Sequence, residues 1–374
     1  MLPWLHAPVQ RFGTLSLCLL LWLWQLVDLA PLTYCRRHGV YRSHRLITSG
    51  ALFKLVGLWI VAPLLFRLTM ALYGTTNVAH SDLFTTIAEL TMASDMIISL
   101  VLLGAHIWRR RHLAKLLNGV VRLELHRQGL RRPQLLLLLW AKLLLSSYEL
   151  LCNVPFLRRH ARLLAWWRLL AYAAQQYVQH LSTVYTNGIF ALLLLMLTGL
   201  GRLEQDWQQY EGDRSERRRL LRRERQLLKL CETFVQCFQL GIFLVLIGHF
   251  LNILANMYAM LDYFVSQHGV PLTMSNYCLF VTIELYALVL VAYMCQARHA
   301  RLRDRCLEQC YVPERMSKQQ AMQRTPLFLL PTSTFQFSIL GLFVLDNEFW
   351  LFLVSYAADF IVIILQFTLT NIKR

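Results

Sequence analysis

Residues 347–367 read NEFWLFLVSYAADFIVIILQF, and this stretch decides the fold. At about 1.5 Å per residue, a helix of this length crosses a bilayer core about 30 Å thick. Asp359 and Gln366 interrupt its apolar run. An ionisable group at membrane depth costs about 2.5–3.5 kcal/mol on insertion scales, and it is kept where it meets water or a partner. Ser355, Asp359, Ile363, Gln366 and Thr370 follow one another at steps of four, four, three and four. That spacing sets them on one helix face. Phe360, Ile361, Val362, Ile364, Leu365 and Phe367 fill the remainder and suit lipid or neighbouring helices. One such stripe does not enclose a pore. Four copies around a symmetry axis would, giving rings of Asp359 and Gln366 separated by an apolar ring of Ile363. Carboxylate rings favour cations, and apolar constrictions gate by dewetting. The same residues also suit interhelical hydrogen bonding inside a single chain.

The rest of the chain agrees with a membrane protein. Of its 374 residues 56% are hydrophobic and only 16% charged. Seven further apolar stretches precede the terminal one: 14–32, 49–73, 83–108, 134–155, 169–200, 234–265 and 271–297. The net charge of +17 raises a nucleic-acid reading. That reading is set aside, because the basic residues sit in short loops between apolar spans, where the positive-inside rule places them. No nucleic-acid partner is expected. Segments 33–48, 109–133, 201–233 and 298–330 hold four, eight, nine and seven Lys or Arg, whereas 74–82 and 266–270 hold none. If 49–73 is the first true span, the N-terminus is inside, the three longer basic loops are cytoplasmic and the C-terminus is outside. Loop 156–168, with Arg158, Arg159, Arg162 and Arg168, falls outside against this trend. Stretch 14–32 holds Asp28 and Pro31, and it reads as an interfacial or re-entrant helix. The expectation is an all-α integral membrane protein, a seven-transmembrane helix bundle with helical cytoplasmic extensions. It divides into an N-terminal cytoplasmic region (1–48), a six-helix bundle (49–330) and a terminal segment (331–374).

Nine cysteines form no disulfide framework; Cys231, Cys306 and Cys310 fall in basic segments expected to be reduced. Cys295, His299, Cys306 and Cys310 lack the paired C-x2-C spacing of a zinc site, so no metal is expected. No N-x-S/T sequon is present. Walker, G-x-S-x-G and H-E-x-x-H motifs are absent, so no enzyme activity and no cofactor is expected.

The nine residues 359–367, DFIVIILQF, resemble the C-terminal signature of the insect gustatory receptor family, TYhhhhhQF with h apolar. Gln366, Phe367 and the five apolar residues match; Asp359 stands where the family has Thr, and Phe360 where it has Tyr. Gly341-Leu342-Phe343-Val344-Leu345-Asp346-Asn347 is similar to the family's G-x-F-x-L-(D/N) segment ahead of the last span. The resemblance implies a tetrameric, ligand-gated, non-selective cation channel, with the last span of each subunit lining the pore. It also implies a packed anchor of cytoplasmic helix extensions and a ligand pocket in the outer half of each bundle. By motif position, Ile363 and Gln366 would form the gate, with Asp359 and Thr370 on the same path. The implied partners are a small-molecule tastant, membrane lipid, and copies of this chain or other gustatory receptors, in the plasma membrane of a chemosensory neuron.

The expected outer ends of the spans carry Glu89, Tyr148, Asn153, Gln175, Gln176, Gln179, Asn252, Asn256, Tyr277 and Glu284. Such groups can line a mostly apolar pocket, or satisfy one another between helices. Gln175, Gln176 and Gln179 are favoured for the ligand, since positions 175 and 179 share a face. A G-protein-coupled receptor is the competing reading, but it requires an outside N-terminus, and neither N-P-x-x-Y nor D-R-Y stands where it would. A transporter would call for repeats or an intramembrane catalytic cluster, and neither is evident.

Overall fold

The computed structural model describes residues 6–35, 37, 39–74, 82–125, 133–152, 166–210, 214–265, 272–310 and 335–372. Its helices are α1 (His6–Leu26), α2 (Arg45–Gly74), α3 (Asp82–Trp108), α4 (Arg110–Arg122), α5 (Pro133–Cys152), α6 (Trp166–Gln179), α7 (Leu181–Gln208), α8 (Arg214–Val265), α9 (Leu272–Cys310) and α10 (Asn347–Ile372). Two short antiparallel hairpins join them: β1 (Thr33–Cys35) with β2 (Val40–Arg42), and β3 (Ser338–Ile339) with β4 (Phe343–Val344). Among the described residues, five helical segments are long and apolar enough to cross a membrane. They lie in α2, α3, α6–α7, α8 and α9.

The single apolar stretch expected over 169–200 is divided at His180 into α6 and α7. The division is slight, because His180 N still donates to Gln176 O and Val184 N to His180 O, both at 3.0 Å. Helix α7 is the central post. From Ile189 to Leu200 every residue is buried, as expected of a helix that is apolar on all sides. It touches α1, α5, α8 and α9. Helix α8 is 52 residues long, about 78 Å at helical rise, and its residues 214–233 precede the apolar stretch that starts at Phe234. Its arginine-rich first third is a continuation of the membrane helix rather than a loop.

Helix α1 is fastened to this post by an aromatic cluster. The Trp24 indole is fully buried, stacks on Tyr185 at 6.2 Å and meets His106 edge-on at 5.7 Å and Phe238 at 5.8 Å. Its Nε1 donates to Val184 O at 2.8 Å. The ring passes over Gly188, where any Cβ would overlap the indole; only glycine lets the two helices approach this closely. The chain then turns through the first hairpin, which α4 holds by Asn118. That amide accepts from Tyr41 N at 2.7 Å and donates to Tyr41 O at 3.1 Å.

Below the apolar spans, charged pairs tie the extensions together. Glu204 on α7 meets Arg298 at 3.2 Å and Arg305 at 3.0 Å, both on α9. Asp206 on α7 meets Arg223 on α8 at 2.9 Å.

Candidate pore helix and ligand-site residues

The segment before α10 explains its own sequence. Leu340 and Gly341 both have positive φ, 53° and 73°, and Leu342 N donates to Ile339 O at 2.9 Å. Two consecutive left-handed residues are the requirement of a tight hairpin turn, and glycine meets it without steric cost. Phe343 stacks on Phe349 at 4.1 Å with planes 5° apart. Leu345 is buried; its N donates to Phe337 O and its O accepts from Gln296 Nε2 of α9 at 2.8 Å. Phe337 N donates to Gln296 Oε1 at 3.2 Å, so one amide clamps both arms of the hairpin. Asp346 caps α10 by accepting from Phe349 N at 2.9 Å. Each residue of the G-x-F-x-L-D pattern thus turns, packs or caps the start of the last helix.

Helix α10 meets the rest of the chain along one narrow row. Phe349, Trp350 and Leu353 pack against the core, with Trp350 5.3 Å from Tyr286. Beyond them Ala357, Ile361 and Leu365 remain half-buried at steps of four. Ser355, Asp359, Ile363 and Gln366 are exposed, Ile363 by 49%. Asp359 lies two residues from both Ala357 and Ile361, about 200° around a helix of 3.6 residues per turn. Ser355, Asp359 and Ile363 therefore point away from the row that meets their own chain. The Thr370 side chain lies outside the described residues.

The proposed ligand residues fall into three groups. The first is held by the bundle. Glu284 on α9 is buried and ion-paired with buried Lys142 on α5, and Ser146 Oγ lies 3.0 Å from Glu284 Oε1 and 2.9 Å from Asn187 Oδ1 on α7. Asn252 Nδ2 on α8 donates to both oxygens of Asp95 on α3, at 2.8 and 3.0 Å, and Asn256 Nδ2 donates to Asn252 O at 2.7 Å. Gln176 and His180 are 3.2 Å apart. Tyr148 is half-buried beside Phe280, with ring centroids 4.5 Å apart, and its hydroxyl accepts from Asn276 Nδ2 at 3.5 Å. The second group is Gln175 alone. It is fully buried on α6, and neither amide atom has a hydrogen-bond partner among the described residues. The third comprises Asn153 and the side chains of Gln179 and Tyr277, which lie outside the described residues; Glu89 is exposed.

Lys142 and Asp95, the partners of the candidates Glu284 and Asn252, were not singled out in the sequence. Both interrupt apolar stretches, and the argument that singled out Asp359 applies to them equally.

A family model described as 7tm Chemosensory receptor matches residues 17–371. "Putative gustatory receptor 89a" of Drosophila melanogaster is 48% identical over 360 residues, covering 96% of this chain and 97% of that protein. The insect olfactory receptor OR5 of Machilis hrabei in complex with eugenol superposes with a TM-score of 0.68 at 12% identity, over 96% of this chain and 99% of that one. A second OR5 structure gives 0.64 at 10% identity, over 95% and 99%. At such identity the structural likeness speaks for the fold, and the match in sequence speaks for the family. The chain belongs to the 7tm chemosensory receptor family and is a multi-pass membrane protein.

Proposed function

We propose that this chain is a gustatory receptor subunit that forms a tastant-gated, non-selective cation channel. In this reading seven spans cross the plasma membrane with the N-terminus inside and the C-terminus outside. Region 1–48 lies on the cytoplasmic side, 49–330 carries the ligand site, and 331–374 supplies the anchor and the pore helix. Four subunits, identical or drawn from related receptors, turn the Ser355–Asp359–Ile363–Gln366–Thr370 face toward a shared axis.

One observation carries the proposal. Ser355, Asp359 and Ile363 of α10 are exposed and stand opposite the row that contacts their own chain. A carboxylate turned toward lipid would be costly, so the stripe calls for water or other subunits. A central conduit supplies both. Ile363 then forms the apolar constriction and Gln366 the polar ring beside it.

For the ligand site, Gln175 offers the best support. A buried amide without partners costs about 1–3 kcal/mol, and a bound molecule that hydrogen-bonds to it would recover that cost. The neighbouring walls are apolar: Leu65, Met96, Leu100 and Val178 form one cluster with Tyr177 and Ala174 at its edge. A small organic ligand with one or two polar groups suits such a site. OR5, which shares the fold, holds eugenol, a molecule of that kind. Gating follows if the ligand binds the open arrangement more tightly than the closed one.

The test is patch recording from cells expressing this chain, alone and with related receptors, across sugars, bitter compounds and small metabolites. A cation current evoked by one of these, and abolished by Gln175→Leu with surface expression intact, is the expected result. Absence of ligand-evoked current in every combination would end the proposal.

A further inference from the structure

The cytoplasmic extension of α8 carries a second feature, which the channel reading does not use. Arg218, Arg222, Gln226, Lys229 and Thr233 succeed one another at steps of four, four, three and four, and so share one helix face. Opposite them α4 presents Lys115, Asn118 and Arg122. Two adjoining cavities lie between these rows and share Arg122, Leu123 and Gln226. The one nearer the apolar span measures about 350 Å³. The farther one measures about 600 Å³, and among the described residues its wall holds Arg122, Arg218, Arg219, Arg222 and Arg223 with one carboxylate, Glu124. Arg223 is committed to Asp206 at 2.9 Å. Among the described residues, Arg122, Arg218, Arg219 and Arg222 make no ion pair with a carboxylate.

Such convergence is unfavourable without a counter-ion. Like charges crowd one concave surface, and low-dielectric walls focus their field. Guanidinium forks match phosphate oxygens in pairs, and a cavity of this volume falls in the range of small-ligand sites.

We propose that this groove is a binding site for a polyphosphorylated anion, with the farther cavity holding the phosphates. Helical rise discriminates between the two sources of such a group. Taking Phe234 as the start of the apolar span, Arg222 and Arg218 lie about 18 and 24 Å along the helix below it. The headgroup layer is only about 5–8 Å deep on each side. A free polyanion therefore reaches the farther cavity more readily than a lipid-borne one, which would meet Lys115 and Lys229 first. The site rests on the proposed orientation of α8 and not on channel activity.

The test uses purified full-length protein in detergent, with binding measured calorimetrically, so that its outcome is independent of any current. The probes are inositol hexakisphosphate, inorganic phosphate, and vesicles of phosphatidylcholine with and without phosphatidylinositol bisphosphate. Wild-type protein is expected to bind the soluble polyphosphate saturably and far more tightly than inorganic phosphate. R218Q/R222Q should weaken it roughly tenfold or more. R45Q/R301Q, which removes the same charge elsewhere, should leave it unchanged. Binding to phosphoinositide vesicles alone, lost in K115Q/K229Q, would keep the phosphate chemistry but assign it to lipid and overturn the free-anion source. No saturable binding to any probe, or equal weakening by R218Q/R222Q and R45Q/R301Q, would overturn the site. Size-exclusion profiles matching wild type confirm that each variant is folded.

Discussion

Lys142 and Glu284 are exposed by only 1% and 4%, and they pair across two helices within apolar stretches. Replacing Lys142 by Met leaves the Glu284 carboxylate buried, accepting a hydrogen bond from Ser146 Oγ at 3.0 Å but without its counter-charge. Removing one partner of such a pair costs about 3–5 kcal/mol, because an uncompensated charge stays buried. Glu284→Met removes the carboxylate that pairs with the ammonium, and a loss of the same order is expected. Replacing both by Met removes both charges and retains similar volume; the expected result lies between no change and a gain of about 1–4 kcal/mol. Ser146 keeps Asn187 at 2.9 Å and Lys142 O at 3.1 Å, so no hydroxyl is orphaned in the double variant. Thermal unfolding of detergent-solubilised protein, followed by size exclusion, reads the order. The double variant should match or exceed wild type, and both single variants should fall clearly below it. Single variants within about 1 kcal/mol of wild type would mean a hydrated, surface-like pair and refute the reasoning. So would a double variant as unstable as the two single losses combined.

Three further outcomes follow from the packing. Gly188→Ala should displace the Trp24 indole and release α1, lowering surface expression, and Trp24→Leu in the same chain should restore part of it. Normal expression of Gly188→Ala alone would contradict the docking of α1. Gln175→Leu should leave thermal stability unchanged or raised, since it removes an unpartnered buried amide, while abolishing the response to the identified tastant. An unaltered dose–response curve would remove Gln175 from the ligand site. Asp346→Ala should cost about 0.5–2 kcal/mol through the lost cap of α10, measured by thermal unfolding. An unchanged transition would show that the cap does not hold the helix start.

How much was legible in the chain depends on whether a feature is local. The stripe on α10 was, because a helical face is a matter of spacing within one segment. Segment 341–347 was legible only as a family pattern; that Gly341 turns the hairpin and Asp346 caps α10 came from the fold. The basic stretch 201–233 was legible as helix, though not that α8 would run unbroken for 52 residues. Partners separated along the chain were not readable. Lys142 and Glu284, or Asp95 and Asn252, stand in plain view as polar breaks in apolar runs, but nothing in either run names the other. Gly188 reads as an ordinary helical glycine until Trp24, far along the chain, is seen to cross it. The orphaned state of Gln175 is a property of its neighbours and has no signature in its own segment. The groove between α4 and α8 joins two basic stretches that spacing alone leaves unrelated.

The central claim is that the exposed stripe of α10 faces water in a shared conduit, while the row of Ala357, Ile361 and Leu365 faces its own subunit. Cysteine substitution at Ile363 and at Ile361, each recorded before and after a charged, water-soluble methanethiosulfonate reagent, tests this directly. The account predicts that agonist-evoked current through Ile363→Cys channels is blocked by the reagent, with wild-type and Ile361→Cys currents unaffected. Current through Ile363→Cys that resists modification, or block at Ile361→Cys instead, would contradict it.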